Sequence, residues 1–167
     1  MPPEQKAERL FLITQRVGFA LWQLQELEGV AAHYVVLVTE AKKGMESEAG
    51  MVLLGPVLRL PFGATLKKIM NAGLLDADLE TRFKRILGER NWLVHKSCST
   101  SRVARFSDPG TDKVVERVDA LAEEARSLLQ ILGSKIEGYV REQGVSMNDI
   151  DERASALLEQ WHALDEP

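Results

Sequence analysis

The stretch ADLETRFKRILGERNWLVHKSC, residues 77–98, decides how the chain folds. On a wheel of about 100° per residue, with Arg90 at zero, Leu79 and Phe83 fall about 20° to either side. Ile86 and Leu93 lie about 40° and 60° to one side, and Val94 and Leu87 about 40° and 60° to the other. This apolar stripe predicts an amphipathic helix packed on a core. Arg90 stands at the centre of the stripe. Asn91 and His95 lie together on one flank, one turn apart. Asp76, just before the stretch, predicts an N-cap whose carboxylate accepts from free backbone N–H groups.

Outward from this helix the pattern stays helical. Residues 4–43 read as one long helix through Leu10, Ile13, Val17, Ala20, Leu24, Leu27, Ala31, Tyr34 and Val38, stopped at Lys42, Lys43 and Gly44. Residues 46–60 read as a short broken helix, with a partnerless strand as the alternative. FGATLKKIMNAG reads as a short helix ending at Gly73. SCSTSRVARFSDPGT, residues 97–111, reads as a loop because it is serine-rich and then carries Asp-Pro-Gly. A long helix starts at Thr111 or Asp112 and runs to about residue 142, stopped at Gly144. Ser146 with Asp149 resembles a capping box that opens a last helix over 146–164. The expectation is an all-α, up-and-down bundle of four main helices with one or two short ones, in a single domain over 1–167.

Composition bounds the function. The chain has 167 residues, 45% of them hydrophobic, and a formal net charge of -4. That is enough apolar material for a core, and the charge disfavours a bulk coat on nucleic acid. The one cysteine, Cys98, excludes an internal disulfide and points to a reducing cytoplasm. The N-terminus MPPEQKAERL has no signal-like apolar run, and no stretch reaches the roughly 20 apolar residues of a membrane span. His33, His95 and His162 fall on three different helices, so neither a metal nor another cofactor is expected.

A guanidinium in an apolar stripe needs an anion or an opening to solvent. Glu28, about 60° from the centre of the first helix's stripe, is the matching anomaly and the expected partner. Two readings stand at this point: a structural Arg90–Glu28 pair with His95 at the boundary, or a site. Trp22, Trp92 and Trp161 read as core or interface. His33, Lys67 and Lys68 read as solvated surface, His162 as a helix-end residue and Cys98 as a bystander.

RNWLVH, residues 90–95, resembles the R-N-x-x-x-H motif of HEPN domains. The order of a long first helix, a later motif helix, a loop and a long helix is similar to that family over residues 5–142. The resemblance implies a homodimer in which the two motif helices make one composite site. It also implies a metal-independent endoribonuclease, a hydrolase of toxin–antitoxin or phage-defence systems with an antitoxin or inhibitor protein as partner. It carries the catalytic roles onto Arg90, Asn91 and His95. The family's modified tyrosine, two residues after the histidine, is replaced by Ser97. Non-catalytic HEPN modules, which bind a nucleotide, RNA or a partner protein, are the alternative implication.

The residue types suit attack of an RNA 2′-hydroxyl on the adjacent phosphate. His95 can carry a proton near neutral pH. Arg90 can stabilise phosphorane charge, and Asn91 can orient the ring or the phosphate. From Leu79 to Phe106 there are seven basic residues and two acidic ones. Arg82, Lys84, Arg85, Lys96, Arg102 and Arg105 are accordingly the expected RNA contacts, against the alternative of a solvated helix face.

Overall fold

The structure is a computed structural model that describes residues 2–164, with the side chains of Met147, Leu157 and residues 161–164 excepted. Those residues contain six α-helices and no strand: α1 Pro3–Thr39, α2 Ser47–Leu58, α3 Phe62–Asn71, α4 Ala77–Ala104, α5 Asp108–Glu142 and α6 Met147–Leu164. The protein is an all-α bundle with four longer helices and two short ones. The chain divides into two compact units, Met1–Leu132 and Gly133–Pro167.

In the first unit α1 opens with Pro3, whose fixed φ and missing N–H suit a first helical position. It ends at Thr39, four residues before the expected stop, and Gly44 takes φ +80° in the turn that follows. Residues 46–60 are helical, not extended, and α2 holds Pro56 within it. α2 and α3 meet at a bend of 114°. Gly73, at φ +65°, ends the α3 turn as expected. Asp76 caps α4 by accepting from the Leu79 N–H at 2.9 Å.

In the first unit the core is built from one stripe of each helix. Ile13, Ala20, Leu24, Leu27 and Ala31 of α1 are fully buried, with Leu66 and Ile69 of α3, Phe83 and Ile86 of α4, and Val118, Ala125, Leu128 and Leu132 of α5. Each large side chain among them contributes about 1.5–3 kcal/mol by leaving water. Tyr34 reaches from α1 to donate to the Leu74 carbonyl at 3.3 Å, and burial pushes its phenol up.

The expected loop over 97–111 is largely helix: α4 continues to Ala104, leaving only residues 105–107 as the connection to α5. The serine-rich run sustains the helix because its hydroxyls turn back onto it. Ser97 donates to the Leu93 carbonyl, Ser101 to Ser97 at 2.7 Å, and Thr100 to Lys96 at 3.0 Å. Ser97, Ser101 and Ala104 are buried and prolong the Leu93 stripe as small residues. α5 begins at Asp108, three residues before the expected start, and the Ser107 hydroxyl accepts from the Gly110 N–H at 3.2 Å. A β-carbon on Gly110 would lie 2.9 Å from the Ala104 carbonyl oxygen, so the tight corner requires glycine there.

In the second unit, the end of α5 and α6 flank a turn in which Gly144 takes φ +73°, the stop expected there. Trp161 and His162 lie outside the described side chains.

Candidate functional site

α1 and α4 run antiparallel, and two polar links mark the direction: Glu28 meets Arg90, and Arg9 meets the backbone at Arg105. Arg9 is buried, reaches the Arg105 carbonyl at 3.4 Å and pairs with Asp108 at the start of α5. One turn before Ile13 and about 40° from it on the wheel, Arg9 lies inside the α1 stripe, so its anomaly is of the same kind as that of Arg90.

The two anomalous charges do answer each other. Arg90 Nε donates to Glu28 Oε1 at 3.0 Å. The side chains keep 27% and 26% of their exposure, so the pair is open to water on one side rather than sealed in the core. That opening removes the difficulty of a cation in an apolar stripe, because neither group is fully desolvated. Only Nε is engaged: among the described residues no other hydrogen bond from the Arg90 guanidinium is formed, so its terminal nitrogens remain free to donate.

Asn91 and His95 are exposed, and neither side chain hydrogen-bonds another described residue. On the wheel they lie about 100° and 140° from Arg90. A single chain therefore does not converge its arginine and histidine on one point. Ser97, two residues after His95, is buried with its hydroxyl on the Leu93 carbonyl, so this position faces the core and not the flank of His95.

The expected basic contacts split into two groups. Arg82 is held by Glu124 through Nε–Oε1 at 2.9 Å and a terminal nitrogen to Oε2 at 3.0 Å, and it also donates to Ser127. Arg85 joins the same carboxylate at 3.0 Å, and Lys84 pairs with Glu80 at 3.2 Å. The Arg82 hydrogen bond, together with Arg85, holds the Glu124 carboxyl below the usual range, and the Glu124 hydrogen bond raises Arg82. Arg82 and Arg85 brace α4 against α5 on the flank opposite Asn91, whereas Lys84 lies on the Asn91–His95 flank and pairs only within α4. Arg102 and Arg105 fall on the Asn91–His95 side of α4, and Lys96 is exposed on the flank of Arg82 and Arg85. Among the described residues no carboxylate pairs with Lys96, Arg102 or Arg105. Glu124 lies 42 positions after Arg82, and no local spacing announces their pairing.

Trp92 is half-buried beneath Arg117 of α5, whose guanidinium carbon stands 3.7 Å from its ring centroid. Trp22 is 65% exposed and so is not a core residue; it projects from the face of α1 opposite the buried stripe. His33, Lys67 and Lys68 are exposed, as read from the sequence, and Cys98 is exposed as well. Among the described residues no three His, Cys, Asp or Glu side chains group to hold a metal ion. No single described helix is long and apolar enough to cross a membrane. Compared with known proteins, the chain matches no family model, no curated protein and no solved structure.

Proposed function

We propose that this protein is a metal-independent endoribonuclease of the HEPN type, acting as a homodimer. One observation carries the reading. Arg90 is tethered to Glu28 by Nε alone in a solvent-open position, while Asn91 and His95 stand exposed and unpartnered on the same helix. A structural ion pair gives no reason to leave the guanidinium fork and an imidazole free. A phosphate would take the terminal nitrogens of Arg90 as a planar pair of donors. Because the arginine and histidine of one chain diverge, the complete set requires α4 of a second copy, related by a two-fold axis.

In that assembly His95 removes the proton of the RNA 2′-hydroxyl as its oxygen bonds to phosphorus. Arg90 stabilises the charge gathering on the equatorial oxygens. The bond to the 5′-oxygen breaks, and His95 of the second copy returns a proton to that leaving oxygen. The products are a 2′,3′-cyclic phosphate and a 5′-hydroxyl. Asn91 holds a phosphate oxygen or the ring without competing for the proton. A toxin or phage-defence role, with an antitoxin or inhibitor as partner in the cytoplasm, belongs to the same reading through the motif resemblance.

The second reading is a non-catalytic module that binds RNA, a nucleotide or a protein. The divergence of Arg90 and His95 within one chain favours it. The two are separated by incubating the purified protein with total RNA in EDTA. The nuclease reading expects cleavage that persists in EDTA and stops when the scissile nucleotide is 2′-deoxy. Folded His95→Ala and Arg90→Ala should each lose at least about 100-fold in rate, and Asn91→Ala less. A folded His95→Ala variant that cuts as fast as the parent overturns it, as does a strict monomer by light scattering at micromolar concentration.

A further inference from the structure

Beyond Arg90, the seam between the first half of α1 and the last third of α4 opens into a cavity of about 420 Å³. Its wall is apolar where Leu10, Ile13 and Val17 of α1 line it. Ser97 and Ser101 also border it, but their hydroxyls already donate to the carbonyls of Leu93 and Ser97. At the other end stand Arg102 and Arg105. The nearby acid on the chain, Asp108, is already paired with Arg9. The Arg105 Nε is buried and has no hydrogen-bond acceptor. Phe106 gives the Arg105 guanidinium a ring face at 5.2 Å, and Lys6 approaches the same ring at 5.0 Å. A ring face satisfies no N–H, and leaving one buried without an acceptor costs free energy.

An apolar pocket that ends in unneutralised guanidinium groups has a definite complement. We infer that this cavity binds a small amphipathic anion, its anionic head on Arg102 and Arg105 and its apolar body against Leu10, Ile13 and Val17. The head would take charge-assisted hydrogen bonds from the guanidinium groups of Arg102 and Arg105. The volume lies within the range of small-molecule pockets and suits a body of about ten carbon atoms. A bare phosphate would leave the apolar wall uncovered, and a neutral lipid would leave the guanidinium unpaired. The inference does not rest on the catalytic residues of the nuclease reading, since neither Arg90, Asn91 nor His95 lines the cavity, but it claims for the anion two arginines that RNA would otherwise contact.

Cys98 lines the cavity, is exposed, and is the one cysteine of the chain, so its alkylation reports occupancy without engineering. The intact protein is treated with N-ethylmaleimide in the presence of decanoate, decyl phosphate, decanol or inorganic phosphate, all below the concentrations that form micelles. Decanoate and decyl phosphate should slow the alkylation saturably, by roughly tenfold at ten times Kd, and should raise Tm. Comparing them shows whether the head is read as carboxylate or phosphate. Decanol and inorganic phosphate should do neither. The double variant R102Q/R105Q should weaken decanoate protection at least about tenfold. Val17→Trp, which fills the pocket from α1 and leaves both arginines in place, should abolish it. Protection by decanol equal to that by decanoate, or undiminished protection in the folded double variant, overturns the inference. So does protection by an RNA oligonucleotide alone, which would make the end of α4 a phosphate-backbone surface instead.

Discussion

Arg117 places its guanidinium carbon 3.7 Å from the centroid of the Trp92 ring while two of its nitrogens hold both oxygens of Glu89, at 2.7 and 3.0 Å. One side chain of α5 thus grips two residues of α4 that flank Arg90 and Asn91. The planar, forked guanidinium serves both contacts at once, which an ammonium cannot do. Arg117→Ala should cost about 1 kcal/mol, the sum expected of an exposed cation–π contact and an exposed ion pair. Arg117→Lys should recover less than half of it. Urea unfolding of the three proteins decides the matter, and a lysine variant as stable as the parent would show that the fork is irrelevant.

The exposure of the Arg90–Glu28 pair sets its energetic scale. A fully buried pair broken on one side costs about 3–5 kcal/mol. Here water reaches both partners, so Glu28→Ala should cost only about 1 kcal/mol. Under the nuclease reading its larger effect is on rate, because Arg90 loses its tether at Nε. A stability loss near the buried-pair value, measured by denaturant melts, would contradict the open geometry.

Glu124 makes stability depend on acid. The Arg82 hydrogen bond, aided by Arg85, lowers its carboxyl below the ordinary Glu value. A lowered folded-state value stabilises the fold above the unfolded value, about pH 4.3, and this contribution fades as pH falls through the lowered one. Parent and Glu124→Gln should therefore differ most near neutrality and converge as the solution is made more acidic. Thermal melts from pH 7 downwards test this. A difference that stays constant with pH would mean that the charge of Glu124 contributes nothing.

Gly110 fixes the corner between α4 and α5. An added methyl would meet the Ala104 carbonyl oxygen at 2.9 Å, the Ala104 α-carbon at 3.2 Å and the Ser107 hydroxyl at 2.8 Å. Two of the three are backbone and cannot swing aside. Gly110→Ala should destabilise by about 1–3 kcal/mol, as overpacking does. That outcome runs against the gain that alanine usually brings to a helix, so an unchanged or raised Tm would refute the contact.

The helices were legible in the sequence wherever apolar residues recur with helical period, and Asp76, Gly44, Gly73 and Gly144 mark ends that local chemistry dictates. The stretch over 97–104 was misleading because serine signals both a turn and a small packing residue. Its hydroxyl can donate to a nearby backbone carbonyl in either case, and only the neighbouring α1 decides between them. The Arg90–Glu28 pair could be anticipated, because two charges that violate their own stripes have few other partners. Glu124 could not: it sits on the edge of α5 like any solvated acid, and only the packing of α5 on α4 brings two arginines to it. The exposed Phe11, Phe19 and Trp22 of α1 were equally hidden, since a helix with apolar residues on both faces leaves the choice of core to its neighbours.

The link from Arg9 to the α4–α5 corner joins positions 96 and 99 residues apart. Such a closure must wait until the intervening chain has been ordered, because its loop entropy is repaid only once the helices between are packed. During synthesis α1 can gather α2, α3 and then α4 as each emerges, but the link from Arg9 to the corner forms only once Arg105 and Asp108 have left the ribosome. The beginning of the chain is thus among the last parts of the first unit to be fastened, and amide exchange at the start of α1 should rise together with exchange at residues 105–110 when either is disturbed.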